Sequence, residues 1–447
     1  MASDDEEVPV VQILSKQNFY SQALVPLPHL TLSRLPALGP RSLRVRTRVL
    51  SITANNFTYA RFGDLFGWWG VHPLPAGTPA PYDDAAAYGR INCWGYARVL
   101  RSTLPAVPDG SFVWGYLPLG TLALDLEFAD AAAAASSGPE PRLLVATNAY
   151  RRPLMPIYNR YLVFRAGTPA AAALEAEIER RDPGVAYDSI ARCMHLTAYL
   201  MALVVFSPAP APAPSPPPPP ANPAGFDLAS ATVVSFAPAS KVGLSFAWVL
   251  RRDAPASVGR PRALVAAASE HSAAFARATG LYDRVVVLGG PDDGPAGPAA
   301  LLGVGPPDSV VLCDFGGRRG ASGRWAAGFA AAGCASVRLV AVGGELPDEA
   351  SLSAPPAPAE AKEPPPPPPP PFEVVRVNAD DMLTEAVRRL GEDGYAAVVG
   401  GSWAKLRREG LPGFRVTWGE GMEDVRKGWD RFGRGEVQAD EGLAFRI

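Results

Sequence analysis

Histidine is scarce in this chain. His29, His72, His195 and His271 are the only four among 447 residues, and none pairs with a cysteine at ligand spacing. Cysteine is as rare: Cys93, Cys193, Cys313 and Cys334 share no CxxC spacing and sit mostly in apolar surroundings. That argues against structural zinc and predicts four inert core thiols in a reducing compartment. Charge of one sign is lacking too. The net charge is −2 with scattered Lys and Arg, which leaves no electrostatic case for nucleic acid or an anionic membrane. No apolar run is long enough for a membrane span: Thr197–Phe206 is about half the needed length and reads as a buried helix end. The opening MASDDEE has no apolar h-region, so no secretory leader is expected and the cytoplasm is the expected location.

Proline, by contrast, is abundant, with 49 residues. Ser207–Pro223 and Ala354–Pro371 hold many of them and predict extended, solvated linkers. A PxxP docking role and a passive role are both open for them. Residues 1–8 read as a frayed acidic tail. Ser42–Ile52 alternates charged and apolar residues, as a half-buried strand does. Thr53–Gly63 follows as a polar and aromatic connection. Asn92–Leu100 and Phe112–Phe128 carry strand signals, broken by turns at Pro105–Gly110 and Pro118–Gly120. The first part is therefore a mostly β domain, with a small-residue loop at Ala131–Pro141. Leu174–Arg181 and Tyr187–Phe206 read as helices.

Between the proline runs strands and helices alternate. Strands are expected at Thr232–Phe236, Ala263–Ala268, Arg284–Leu288, Ser309–Cys313 and Ser336–Val342. Helices are expected at Ser240–Arg252, Glu270–Thr279 and Gly323–Ala332. Such alternation implies a parallel α/β sheet whose ligand lies at the carboxyl ends of the strands. The turn Ala237–Ser240 opens a helix, where backbone N–H groups and the helix dipole favour a pyrophosphate. Ala239, Ser240, Lys241, Val242 and Gly243 are the candidate cofactor contacts. Ser240 is an expected N-cap, and Gly243 an expected point of close helix–strand approach. Farther on, Glu373–Val377, Met382–Leu390 and Ala396–Gly400 read as strand, helix and strand. Met422–Phe432 reads as an amphipathic helix, and Gly442–Ile447 as a strand.

The order of these parts resembles the medium-chain dehydrogenase/reductase superfamily, nearest its zinc-free quinone oxidoreductase and enoyl reductase branches. The stretches that carry it are ANNFTYARFGD at 54–64, WGYARVL at 94–100, VWGYLPLG at 113–120 and MPIYNRYLVF at 155–164. FAPASKVGLSFAWVL at 236–250, GLYDRVVVL at 280–288 and VTWGEGMEDVRKGWDRFGRGEV at 416–437 continue it. More closely, the chain resembles a fungal and bacterial branch known only as a domain of unknown function. The resemblance implies a GroES-like β-barrel, a Rossmann doubly wound parallel-sheet domain, and a C-terminal segment returning to the barrel. The expected divisions are 1–206 for the substrate-binding barrel, 207–223 for a linker and 224–353 for the Rossmann domain. An insertion at 354–371, the rest of the Rossmann domain at 372–413 and the return at 414–447 complete them. It implies NADPH rather than NADH, and no metal: where zinc-dependent members carry Gly-His-Glu, this chain reads WGYARV. The AxxGxxG fingerprint is also altered, with Ser240 and Lys241 in it.

Each candidate site residue carries two readings. Lys241 either meets a phosphate or lies on a solvated first turn. Ser269, at a strand end where NAD-binding proteins keep an acid, leaves room for a 2′-phosphate, although Glu270 beside it argues the other way. His271 either nears that phosphate or is a surface histidine. Asp314 with Gly316 either lines the nicotinamide ribose or bonds its own turn. Tyr59 is the candidate proton donor and Asn56 the candidate polar positioner; the other reading of both is that they cap loops in the barrel. Trp68, Tyr158 and Asn159 are candidate walls of a hydrophobic substrate pocket, or packing residues. The expected function is a metal-free, NADPH-dependent reductase of a small hydrophobic quinone, enone or carbonyl compound, possible as a homodimer. The alternative is a non-catalytic descendant that binds a nucleotide or a protein partner.

Overall fold

The computed structural model describes residues 7–128, 141–207, 228–289, 297–317, 320–343 and 371–447. The loop expected at 131–141 and both proline runs fall almost wholly outside them. Elements are labelled in chain order. The first half holds strands β1 (Val10–Ser15), β2 (Gln22–Pro26), β3 (Ser42–Ile52), β4 (Tyr88–Gly89) and β5 (Asn92–Ser102). It continues through β6 (Phe112–Pro118), β7 (Leu124–Glu127), β8 (Arg142–Val145) and β9 (Arg160–Phe164). Its helices are α1 (Ala54–Arg61), α2 (Pro169–Glu179), α3 (Pro183–Ile190) and α4 (Arg192–Leu200).

The alternation in Ser42–Ile52 does form a strand, but one covered on both faces. Helix α3 packs over it. On its polar face Arg44 pairs with Asp125 at 2.7 Å and Arg46 with Glu7 at 2.7 Å. β3 and β5 lie so close that a Cβ on Gly95 would stand 2.0 Å from the Val49 carbonyl oxygen, at an irregularity in their register. Thr53–Gly63 is not a plain connection. It contains α1, because Thr53 and Asn56 close a reciprocal capping box around the first turn. The single helix expected at Tyr187–Phe206 is broken at Ala191, between α3 and α4, and ends in a π-turn at Met201–Val205. Among the described residues no single helix is long and apolar enough to cross a membrane; the bent α3–α4 pair passes only when taken together, and most of it is buried.

The second half holds β10 (Ala231–Phe236), α5 (Lys241–Trp248), β11 (Ala263–Ala268), α6 (Glu270–Ala278), β12 (Arg284–Val287) and α7 (Gly297–Leu302). After them come β13 (Ser309–Asp314), α8 (Ala321–Ala331), β14 (Ser336–Ala341), β15 (Glu373–Arg376) and α9 (Ala379–Glu409). β16 (Arg415–Glu420), α10 (Gly421–Gly433) and β17 (Glu441–Arg446) end the chain. The strand expected at Ala396–Gly400 is instead helix, inside α9, which bends at Gly391 with φ 73°. Short apolar runs suit a buried strand and a helix alike, and here length decides.

The six-stranded sheet runs β12-β11-β10-β13-β14-β15 and every pairing in it is parallel. Its order reverses between β10 and β13, where a doubly wound sheet opens its ligand crevice. The larger sheet runs β16-β17-β3-β5-β6-β9-β8, with β7 paired to β3. β17 joins β3 antiparallel, so the C-terminal segment returns to the barrel. The chain is thus a GroES-like barrel and a Rossmann domain. Helices α4 and α5 pack together between them.

Candidate functional site

At the crevice, Phe236 ends β10 and Ala237 takes a left-handed turn at φ 53°, uncommon for a residue with a side chain. Ser240 caps α5, its Oγ accepting from the Gly243 N–H at 3.1 Å. Gly243 sits under the turn: a Cβ there would lie 2.7 Å from the Ala237 oxygen. Tyr282 supports the turn from the other side, its hydroxyl donating to the Pro238 carbonyl at 2.9 Å. Ala239 and Val242 are half-buried. The first-turn amides of α5 lack intrahelical acceptors, as in any helix.

Lys241 is turned neither to open solvent nor along the turn. Its Nζ donates to the Glu441 carbonyl at 2.9 Å and lies 4.7 Å from the Phe414 ring centre. The ammonium therefore faces the barrel's C-terminal return, and burial pulls its pKa down to about 8. Asp314 bonds its own loop. Its Oδ1 accepts from the Gly316 and Gly317 amides at 2.9 and 2.6 Å, and its Oδ2 from Ser322 Oγ at 2.5 Å. Ser269, Glu270 and His271 are exposed at the carboxyl end of β11.

In the barrel, α1 carries Tyr59 into an aromatic cluster. The ring meets Trp68, Tyr116 and Tyr158 edge-on at 4.9, 5.1 and 5.8 Å. Tyr59 Oη accepts from Asn55 Nδ2 at 2.5 Å and from Trp94 Nε1 at 2.9 Å. A hydroxyl has two acceptor sites and one donor; with both acceptor sites filled, Tyr59 has its proton left, and that proton is turned towards the Tyr158 hydroxyl, whose pKa it lowers against the larger effect of burial. Burial, then the neighbouring phenols of Tyr158 and Tyr116, push its pKa well above the usual value, so the phenol stays neutral. Around it Trp68 Nε1, Tyr116 Oη and Asn92 Oδ1 are buried without a hydrogen-bond partner. Cys193, on α4, bears electrostatically on both Tyr59 and Tyr158. Helix α4 in turn packs on α5, the helix that starts at the crevice.

Two expected site residues hold the local backbone. Asn56 accepts from the Thr53 amide at 2.7 Å and donates to the Asn92 carbonyl at 2.7 Å. Asn159 accepts from Arg151 Nε at 2.9 Å and donates to the Arg151 carbonyl at 3.3 Å. Asn55, Trp94, Tyr116 and Asn92 escaped the sequence reading as site residues. The doubled asparagine before Tyr59 was the one available signal. Cys93, Cys193 and Cys313 are buried and Cys334 is half-buried, all as free thiols. Among the described residues no group of three His, Cys, Asp or Glu side chains is placed to hold a metal.

A barrel joined to a doubly wound sheet of this order, with a C-terminal return, is the fold of the medium-chain dehydrogenase/reductases. Solved structures agree across nearly the whole chain. CurA from Vibrio vulnificus in complex with NADPH has TM-score 0.53 and 12% identity, covering 98% of this chain and 99% of that one. The complex of ETR1P with NADP and crotonyl-CoA has TM-score 0.50 and 10% identity, covering 99% and 100%. A mycobacterial protein, Rv1454c, complexed with NADPH has TM-score 0.50 and 12% identity, covering 98% and 100%. No curated protein matches the sequence. Within this fold, residues 50–438 match the family described as a protein of unknown function, DUF2855, and the chain belongs to that family.

Proposed function

We propose that the protein is a metal-free, NADPH-dependent reductase of a small enone, quinone or carbonyl compound. The observation that carries this reading is Tyr59: a buried, neutral phenol with both acceptor sites filled, in a chain that also has a dinucleotide-type crevice. The crevice residues suit a dinucleotide. With the Ser240 amide given to the Ala237 carbonyl and the Gly243 amide to Ser240 Oγ, the Lys241 and Val242 amides at the α5 start are the ones left for a pyrophosphate, and exposed Ser269 leaves space for a 2′-phosphate. NADPH-bound neighbours of the same fold support that cofactor. When bound, NADPH supplies the hydride. The chain's own residues hold the acceptor among Trp68, Tyr116 and Tyr158, exclude water, and present the Tyr59 proton.

A second reading, a non-catalytic relative that binds a nucleotide or a partner protein, is favoured by Lys241 and Ser240. Both spend their polar atoms inside the protein. Fluorescence titration with NADPH separates the outcomes. Saturable binding is expected, and no saturation at millimolar cofactor overturns both nucleotide-dependent readings. If NADPH binds and an enone and quinone panel is reduced, Tyr59→Phe should slow turnover about 100-fold or more at an unchanged dissociation constant. Binding with no turnover on the panel supports the second reading.

A further inference from the structure

We propose that the barrel contains a buried oxyanion site, built by Arg90, Arg151 and His72, that takes a carboxylate or phosphate group. These side chains are 6%, 0% and 3% exposed. Each keeps a buried nitrogen with no hydrogen-bond partner: Arg90 Nε, Arg151 Nη1 and His72 Nε2. Among the described residues none of the three pairs with a carboxylate.

Three segments bring them together. Asn92 Nδ2 donates to the Trp68 carbonyl at 3.3 Å, which ties the Arg90 segment to the loop that carries His72. The Trp68 and Tyr158 rings lie 5.9 Å apart. Arg151 Nη2 then donates to the Tyr158 carbonyl at 2.8 Å, which adds the third segment. The charges of Arg151 and Arg90 both bear on the His72 ring and, after burial, depress its pKa. Both charges also bear on Tyr150, which is 39% exposed and marks the side open to solvent.

A guanidinium stays charged at neutral pH, even for Arg90, whose pKa burial pulls down to about 10. Leaving such charges buried without an opposite charge is expensive; the Asp125 and Glu127 carboxylates also bear on Tyr150, but Asp125 pairs with Arg44 and, among the described residues, neither pairs with Arg90 or Arg151, which leaves room for an anion from outside. Planar guanidinium forks match carboxylate and phosphate oxygens. The site adjoins the phenol cluster, since Arg151 bonds the Tyr158 carbonyl, but its argument does not rest on the reductase reading.

Thermal unfolding of the full chain tests it, in a buffer free of oxyanions, with inorganic phosphate and acetate titrated separately against chloride at equal ionic strength. At least one oxyanion should raise the melting temperature by about 3 °C or more beyond chloride. Phosphate alone would mark a tetrahedral ligand, and acetate alone a carboxylate. Arg90, whose side chain makes no hydrogen bond among the described residues, is the position to change. Arg90→Leu should melt above wild type without oxyanion and lose the oxyanion-dependent rise. If neither anion exceeds chloride on the wild type, or if Arg90→Leu keeps the rise, the site does not exist. The wild-type titration decides alone should the variant fail to fold.

Discussion

At the scale of the residue, the core places polar groups where they must be satisfied or stay neutral. Asp188 is buried, yet Tyr96 Oη, Trp403 Nε1 and Arg407 Nε donate to it at 2.8, 2.7 and 2.9 Å. It joins barrel, α3 and α9 through one carboxylate. His195 shows the other solution. Its Nε2 meets Ser402 Oγ at 2.8 Å, and its Nδ1 is buried with no partner. Burial pulls its pKa down to about 3, with Asp253 opposing and Arg192 adding to the shift. The native ring is therefore neutral where an unfolded histidine, near pKa 6.5, takes a proton. Its contribution is fully present above about pH 6.5 and is lost as pH falls towards 3. Each pH unit in that window costs about 1.4 kcal/mol. Glu385, held near 2 by Arg388 and Arg389, adds its own loss below about 4.5. Urea unfolding at pH 6.5 and 5 should show a steeper loss for wild type than for His195→Gln. Parallel losses would mean the ring is protonated in the fold.

At the scale of the element, close approach matters more than propensity. Gly95 lets β5 cross the β3 irregularity with nothing between the two backbones. Gly95→Ala should therefore cost about 3 kcal/mol, read as a fall in the urea midpoint, since the obstacle is a carbonyl that cannot swing away. A midpoint within experimental error of wild type would place the strands farther apart. The same closeness explains what was legible beforehand. β10, β11, β13 and β14 were readable to within a residue at most ends, because strands buried on both faces appear as short apolar runs between turns. α1 was not, because Asn55, Asn56 and Thr58 are weak helix formers and the capping box, not the interior, holds it. At the site, Tyr59, Trp68 and Tyr158 were legible as a polar and aromatic group. The hydrogen bonds from Trp94 and Asn55 depend on pairings between distant strands and helices, which spacing along the chain does not encode. The Lys241 contacts were not legible for the same reason: Glu441 and Phe414 lie far along the chain.

At the scale of the whole molecule, Lys241 is a tie between halves. It reaches from the first turn of the Rossmann helix α5 to the barrel return at Glu441 and Phe414. Lys241→Met should leave NADPH affinity within about twofold and lower the melting temperature by about 2 °C. A tenfold or greater loss of affinity with unchanged melting would restore the phosphate role.

The pairing of β17 with β3 has a further consequence, in time rather than space. Ile52 leaves the ribosome early, yet its partner Leu443 is translated only after the entire nucleotide-type domain. The Rossmann sheet, built from neighbours in sequence, can assemble while synthesis continues, whereas one rim of the barrel stays open until the last strand is released. During that interval the Val49–Ile52 end of β3, beyond the part that β7 covers, is an unpaired edge, the stage at which a growing chain has most need of a chaperone.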